Sequence, residues 1–474
     1  MQLPIDITSL PGALQRRRQQ LAARIDLPVI LWSGGSPSRN FPANRFPFRA
    51  SSHFLYFAGL GLENAAIRLE AGKLQLFINE PSPEAALWHG SALHPNDIAA
   101  FMGADSVHPL SELAGYAQPA VTIPVQDQAT LALQVQVLKR DLPPAQALSG
   151  GDHQLAAAIV DLRLTHDQLA LSELRQAGQV TIAAHLAGMA HTPSAKTEAE
   201  VRAAMESVLT AADLPTAYAS IVTVHGQVLH NTHYGHSLQA GDLLLADVGG
   251  ETATGWAADI TRTWPVSGQF SASQRAIYEL VLAAHDACIA ALRPGVEYRQ
   301  IHLLAAQTIA AGLVELGILR GNPQSLVERD AHALFFPHGI GHLLGLDVHD
   351  MEDLGDLAGY APGRQRSDRF GLGFLRLDRP LQAGMVVTIE PGFYQVPAIL
   401  EDSDRRSAYQ DCVNWQRLAD FADVRGIRIE DDVLITDQGC EVLTAALPTD
   451  LEQVEALVSQ SLCNPFASPT TTLD

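Results

Sequence analysis

Leu243-Leu244-Leu245-Ala246-Asp247-Val248-Gly249-Gly250, followed closely by Ala258-Asp259-Ile260-Thr261-Arg262-Thr263, reads as two short buried strands that each carry one carboxylate. Brief apolar runs bounded by turn formers fit strands enclosed by the fold. Asp247 is presented where its strand ends and Asp259 belongs to the next, so a hairpin brings the two acids together. A lone Asp at a strand end most often caps a turn. A pair at this spacing suits a shared metal pair.

Three stretches further along the chain repeat the theme. In Phe336-Pro337-His338-Gly339-Ile340-Gly341-His342 the glycines let backbone approach a ligand closely, and His349 adds a third histidine to the same apolar region. Glu390 ends the run Val387-Thr388-Ile389 ahead of Pro391-Gly392, and Glu430 follows Arg428-Ile429. Each alone could be a paired structural side chain, Arg428 being an obvious partner for Glu430. Together, Asp247, Asp259, His342, Glu390 and Glu430 form the ligand list of a two-metal hydrolase. Four buried carboxylates become feasible when two divalent cations neutralise them. An HExxH helix is absent, so the usual zinc-protease arrangement does not apply.

The chain has 474 residues, beyond the size at which one core usually keeps growing, so two domains are expected. Residues 1–165 alternate apolar runs (Val29 to Trp32, Leu74 to Ile78, Val121 to Val125) with helix-like stretches, predicting an α/β domain. Turn formers from Pro143 to Asp152, then a strand-like run Ala157 to Leu164, place the boundary there. Residues 166–450 combine helices and strands, which makes the whole α+β, and 451–474 form a tail with a frayed polar end, Pro469 to Asp474. Capping boxes at Thr165 with Gln168, Thr197 with Glu200, and Ser271 with Gln274 open three helices. Ser220 to Val224, Leu243 to Val248, Ile260 to Val266, Met385 to Ile389 and Ile427 to Ile429 read as strands. From Met351 to Gly384 the chain looks like a long loop rich in Gly and Arg.

Hydrophobic residues make up 47% and charged residues 18%, enough for a sizeable core. No run reaches the roughly 18 apolar residues that span a bilayer, so no membrane association is expected. The net charge of −21 argues against nucleic acid or anionic lipid, which require clustered cations. Cys288, Cys412, Cys440 and Cys463 show no CxxC pairing and imply a reducing, cytoplasmic location. Arg16 to Arg18 leads into a helix pattern rather than an address signal.

In their order along the chain, these motifs resemble the metallopeptidases of the pita-bread fold, the group of methionine aminopeptidase, prolidase and aminopeptidase P. Asn44-Arg45-Phe46-Pro47-Phe48-Arg49 and Phe54-Leu55-Tyr56-Phe57 resemble the N-terminal domain of aminopeptidase P. The resemblance implies an N-terminal α/β domain followed by a catalytic pita-bread domain, and cleavage after the first residue of peptides with proline second. It implies that Asp247 chelates one metal, Asp259 and Glu430 bridge both, and His342 and Glu390 complete the pair. A bridging water would be the nucleophile and Glu390 the proton shuttle, with His230, His338 and His349 facing the substrate. Tyr218, His349 and Arg428 match positions that surround the proline ring or anchor the site. Trp88 matches a tryptophan that reaches a neighbouring subunit, hence a homodimer or homotetramer, although no basic pair follows His89-Gly90. An oxygen-rich set with one imidazole favours Mn²⁺, with Co²⁺, Fe²⁺ or Zn²⁺ able to compete. The segment 352–380, with Arg364, Arg366, Arg369, Arg376 and Arg379, and Val413-Asn414-Trp415-Gln416 look like prolidase instead. Such arginines could hold a dipeptide carboxylate or merely edge a solvated loop. A third alternative, a metal-free pita-bread binding module, would be expected to have lost ligands.

Overall fold

The computed structural model describes residues 10–463 apart from Pro83, Ala85, Ala86, His89 and Ser91. The expected polar end, Pro469 to Asp474, and the Ala86 and His89 flanks of Trp88 lie outside the described residues. The chain divides into two compact units: Met1–Glu173 with Ala253–Trp256 and Met351–Ala358, and Leu174–Thr252 with Ala257–Asp350 and Gly359–Asp474.

The first unit is built on a sheet of β1 (Val29–Trp32), β2 (Ala66–Glu70), β3 (Lys73–Phe77) and β4 (Ser106–His108), in that spatial order. The pairings are antiparallel except for the parallel β3–β4 pair. Ile30, Trp32, Ala66, Phe77, Leu113 and Leu138 form its core. The run Val121 to Val125, expected as a strand, contributes one parallel bridge from Val121 to Val29. Ala157 to Leu164 is a larger correction, because it belongs to the helix Gly150–Arg163 and its cap. Leu155, Ile159 and Leu162 are buried at helical spacing, and a short apolar run does not by itself distinguish the two periods.

Two of the basic trio are structural, while Arg16 is exposed. In the helix Leu10–Ala22, Arg17 is buried and donates to both oxygens of Asp167 at 2.9 and 3.0 Å, while Arg18 reaches the Met102 carbonyl at 3.0 Å. Asp167 also accepts from the Ala170 N–H at 2.9 Å, so it takes the capping role expected of Thr165 ahead of the helix Gln168–His191. An aspartate caps as well as a threonine and in addition offers Arg17 a charge. At the helix Glu198–Ala211 the Thr197 side chain makes no capping bond, and Glu200 accepts from the Lys196 N–H at 2.8 Å. The Ser271–Gln274 box is complete in both directions.

In the second unit β5 (Ile221–Thr223), β6 (Leu243–Asp247) and β7 (Thr261–Pro265) form an antiparallel sheet in which Asp247 lies opposite Ile221 and Thr261. Alternation along β6 turns Leu244 and Ala246 into a core with Val201, Met205, Leu209 and Trp264. Leu245 faces the other way, packing with Ile221 and Tyr394, and Asp247 shares its parity. Further on, β8 (Val386–Ile389) pairs with β11 (Asp431–Ile435), and β9 (Gly392–Tyr394) with β10 (Gly426–Arg428); β12 (Cys440–Val442) flanks β11. Both long strands of this ribbon break at the same level. Glu390-Pro391 separates β8 from β9, and Ile429-Glu430 separates β10 from β11. Among the described residues no helix is long and apolar enough to cross a membrane.

Candidate active site

One cavity of about 430 Å³ in the second unit is lined by Asp247, Asp259, His342, Glu390 and Glu430. His230, His338, His349 and Arg428 share its wall, as do Leu229, Phe374, Val396, Arg366 and Arg376. The five expected ligands are thus brought together from strand ends and one glycine-rich loop. Gly341 is required in that loop, because a Cβ there would overlap the Thr388 carbonyl and the Tyr298 hydroxyl. The closeness lets Thr388 and Glu390 donate backbone N–H groups to His342 and Ile340 at 3.0 and 2.8 Å, fixing the loop to the ribbon.

The His342 Nδ1 lies 3.0 Å from the Leu343 carbonyl, an obligate acceptor, so Nδ1 carries the proton. Its Nε2 lone pair then faces Asp259 Oδ2 at 3.4 Å and Glu390 Oε1 at 3.7 Å. A backbone acceptor that fixes the imidazole tautomer in this way is a frequent partner of metal-binding histidines. Asp259, His342 and Glu430 are all buried and offer ligand atoms within 4.8 Å of one another.

Burial raises the carboxyl of Asp259 to about 8, with repulsion from Asp247 adding to it. Burial likewise raises Glu390 to about 7. Glu430 is pushed well above the usual carboxylate range by desolvation and then by Asp259 and Glu390. The opposing charge is Arg428, whose Nη2 meets Asp247 Oδ2 and whose Nε donates to Thr261 Oγ1 at 3.0 Å. Thr261 passes that contact on, donating to Glu430 Oε2 at 2.7 Å. The expected Arg428–Glu430 pair is therefore indirect. One guanidinium cannot balance four ionised carboxylates in a sheltered cavity, and this donor set of hard oxygens plus one imidazole fits divalent cations.

Tyr218, expected around a proline ring or as an anchor of the site, touches two of the acids. Its hydroxyl is 2.6 Å from both Asp247 Oδ1 and Asp259 Oδ1, bridging two ligand carboxylates, and it does not appear among the residues lining the cavity. Trp88 lies in the first unit and is 74% exposed. His338 has both ring nitrogens engaged: Nδ1 donates to the Gly339 carbonyl at 2.7 Å and Nε2 accepts from the Tyr394 hydroxyl at 2.9 Å. Desolvation, and then Arg428, depress its pKa to about 3, so it stays neutral. Tyr394 in turn accepts from Arg428 Nη1 at 3.0 Å and was not singled out from the sequence. The available signal was the period of two, since Glu390, Gly392 and Tyr394 share one parity.

The arginine-rich segment splits in two. Arg364 pairs with Glu297 at 2.6 Å and Asp378 at 2.8 Å, Arg369 pairs with Asp330 at 2.7 Å, and Arg379 donates to the Tyr360 carbonyl at 3.1 Å. Arg366 and Arg376 also line the cavity beside Phe374, Arg366 while donating to the Leu375 carbonyl at 2.9 Å.

The family model for metallopeptidase family M24 matches residues 172–437, and that for the aminopeptidase P N-terminal domain matches residues 14–124. The chain is 32% identical over 424 residues to a probable Xaa-Pro aminopeptidase of Botryotinia fuckeliana, covering 88% of each chain. It is 30% identical over 470 residues to the Xaa-Pro dipeptidase of Homo sapiens, covering 96% of this chain and 94% of the relative. Aminopeptidase P from E. coli with the inhibitor Pro-Leu superposes with a TM-score of 0.77 at 27% identity, over 96% of this chain and 99% of the other. The α+β expectation, an N-terminal domain followed by a pita-bread domain, holds.

Proposed function

The chain belongs to metallopeptidase family M24, and from that premise we propose that it is a metal-dependent Xaa-Pro aminopeptidase, hydrolysing the bond between an N-terminal residue and the proline that follows. The observation that carries this reading is the convergence of four carboxylates and His342 on one cavity. In this reading residues 166–450 are the catalytic domain and residues 1–165 the aminopeptidase P-like domain. Asp247, Asp259, His342, Glu390 and Glu430 would hold two divalent ions, Mn²⁺ first, with Co²⁺, Fe²⁺ or Zn²⁺ as competitors. Bound divalent ions supply the Lewis acidity that activates a water and polarises the scissile carbonyl.

The residues of the chain do the rest. Glu390, half-buried at the ribbon break, takes the proton from the attacking water and returns it to the leaving proline nitrogen. His230 and His349 face the carbonyl oxygen as charge builds on it. His338, held by Tyr394 and the Gly339 carbonyl, acts as a fixed wall. Arg428 orients Asp247. A proline nitrogen has no N–H to offer, so selection by cavity shape replaces backbone pairing. The exposed Trp88 suits a contact with a second copy in a homodimer or homotetramer, and a cytoplasmic setting fits the unpaired cysteines.

A second reading, Xaa-Pro dipeptidase, draws on Arg366 and Arg376 at the cavity wall and on the human dipeptidase as a relative. Two guanidiniums there suit the terminal carboxylate of a dipeptide. Parallel incubation of the Mn²⁺-loaded protein with Xaa-Pro and Xaa-Pro-Xaa decides between them. Release of the first residue from the tripeptide is expected, and cleavage of the dipeptide alone would transfer the assignment. Absence of chelator-sensitive cleavage of either peptide would favour a non-catalytic binding module.

A further inference from the structure

A second group of imidazoles stands apart from the carboxylate cavity, on the loop that carries Leu229 and His230 into it. The His225 and His236 rings lie 4.2 Å apart between centroids, and His233 lies 5.1 Å from His236. His236 is oriented from below: its Nδ1 is 2.9 Å from Glu198 Oε2, a carboxylate that can only accept, so Nε2 is left with its lone pair. Glu198 is 0% exposed and is itself fixed by the Val224 N–H at 2.8 Å and Thr223 Oγ1 at 3.0 Å. A buried carboxylate that receives the distal N–H of an imidazole is the arrangement that raises ligand basicity in metal centres.

The other two rings suit the same purpose. His225 is half-buried, and desolvation, His236 and Arg425 hold its pKa below the ordinary histidine value, so it is neutral and able to donate a lone pair. Arg425 is occupied with the Val224 carbonyl at 3.1 Å and lies 3.8 Å from Asp242, while Glu198 and Asp242 balance its charge. His233 is exposed, and Gly235 leaves room for it, since a Cβ there would lie 2.9 Å from His233 Nε2. Tetrahedral zinc places its nitrogens about 3.3 Å apart. Among the described residues Asp259, His342 and Glu430 already offer ligand atoms within 4.8 Å of one another, whereas the three imidazoles stand at ring-centroid distances of 4.2 and 5.1 Å and would have to close further around an ion.

We propose that His225, His233 and His236 form a separate site for an imidazole-seeking transition ion such as Zn²⁺, Ni²⁺ or Cu²⁺, which a hard ion such as Mn²⁺ or Mg²⁺ does not fill. Occupancy ties together the two ends of the loop that presents His230. Resting on the proposed function, the site is therefore a brake or brace on the catalytic loop.

The test uses the full chain loaded with Mn²⁺, equilibrated with Zn²⁺ and desalted, with bound zinc counted by mass spectrometry. The wild type is compared with His225→Ala/His233→Ala and with His236→Gln, whose amide can still donate to Glu198 and so preserves the fold. Loss of one zinc equivalent per chain in both variants is expected. So is loss of the multiple-nitrogen splitting in the Cu²⁺ electron paramagnetic resonance spectrum. Equal zinc content and an unchanged Cu²⁺ spectrum in wild type and variants would overturn the site. The readout is metal content, so it can fail while peptide cleavage, and with it the proposed function, stands.

Discussion

Glu430 and Asp431 are neighbours in sequence, both almost fully buried, yet their carboxylates meet opposite surroundings. Glu430 shares its side of the ribbon with Asp259 and Glu390 and is driven toward its protonated form. Asp431 turns the other way. There the fully buried Arg262 donates to it at 2.8 Å and Thr444 adds a hydroxyl, and His285 Nε2 lies 3.0 Å away. Burial alone would raise Asp431, but Arg262 and His285 outweigh it and hold it below the usual range. Arg262 spends its other donors on the carbonyls of Thr261, Glu430, Leu447 and Pro448 at 2.6–3.0 Å. One face of the strand is therefore a closed ion pair completed by the protein, and the other is a set of acids that the protein leaves for something else to complete.

Three measurements would break or sharpen this contrast. The largest effect is expected from Glu430→Gln. Peptide cleavage should fall by at least about 10³-fold, equivalent to about 4 kcal/mol of barrier. In chelator the same variant should melt higher than the wild type, because folding no longer has to put a proton on a carboxylate that the unfolded chain keeps ionised. Retained turnover, or a lower Tm in chelator, would mean that Glu430 is an ordinary structural acid.

Asp431→Asn should do the reverse. Leaving Arg262 charged in the interior is expected to destabilise the protein by about 3–5 kcal/mol with or without metal, while the folded fraction keeps its turnover within a few-fold. Denaturant titration read beside activity would expose any departure.

The smallest effect is in pH. Asp259 and Glu390, raised to about 8 and about 7, hold protons in the metal-free folded state that the unfolded chain has released. Their contribution is present at low pH and lost as pH rises through those values, so Tm in chelator should fall between pH 6.5 and 8. The slope approaches about 1.4 kcal/mol per unit for each group below its own folded-state value and dies away above it, so Glu390 drops out near pH 7 and Asp259 near pH 8. Saturating Mn²⁺ should flatten it. Below 6.5 the buried neutral imidazoles of His185 and His302, each lowered to about 4, and His332, lowered to about 3, work in the opposite sense, because only the unfolded chain takes up their protons. A scan in chelator that is flat from 6.5 to 8 would remove the contrast.

Much of this was legible in the sequence, for identifiable reasons. The five ligand candidates stand out because acids and a histidine at the ends of apolar runs are locally anomalous. The strands around them follow from short β-branched segments next to glycine. What stayed hidden depends on partners distant in sequence. Tyr394 reads as one more aromatic in an apolar strand until Arg428 and His338 are brought to its hydroxyl. Asp431 looks equivalent to Glu430 until the strand turns it toward Arg262. Ala157 to Leu164 misled because alanine-rich apolar runs carry no strong period, and Asp167 outcompeted Thr165 because Arg17, 150 residues away, needed a charge.

The donors of the cavity come from Asp247, Asp259, His342, Glu390 and Glu430, with no two adjacent in the chain. A nascent polypeptide offers no local chelate, so cation capture must wait until the second unit has assembled. Once that unit has assembled, burial leaves protons on the acids until a cation takes their place. Loading is then an exchange that acidifies its surroundings, and the affinity for metal should climb steeply with alkalinity.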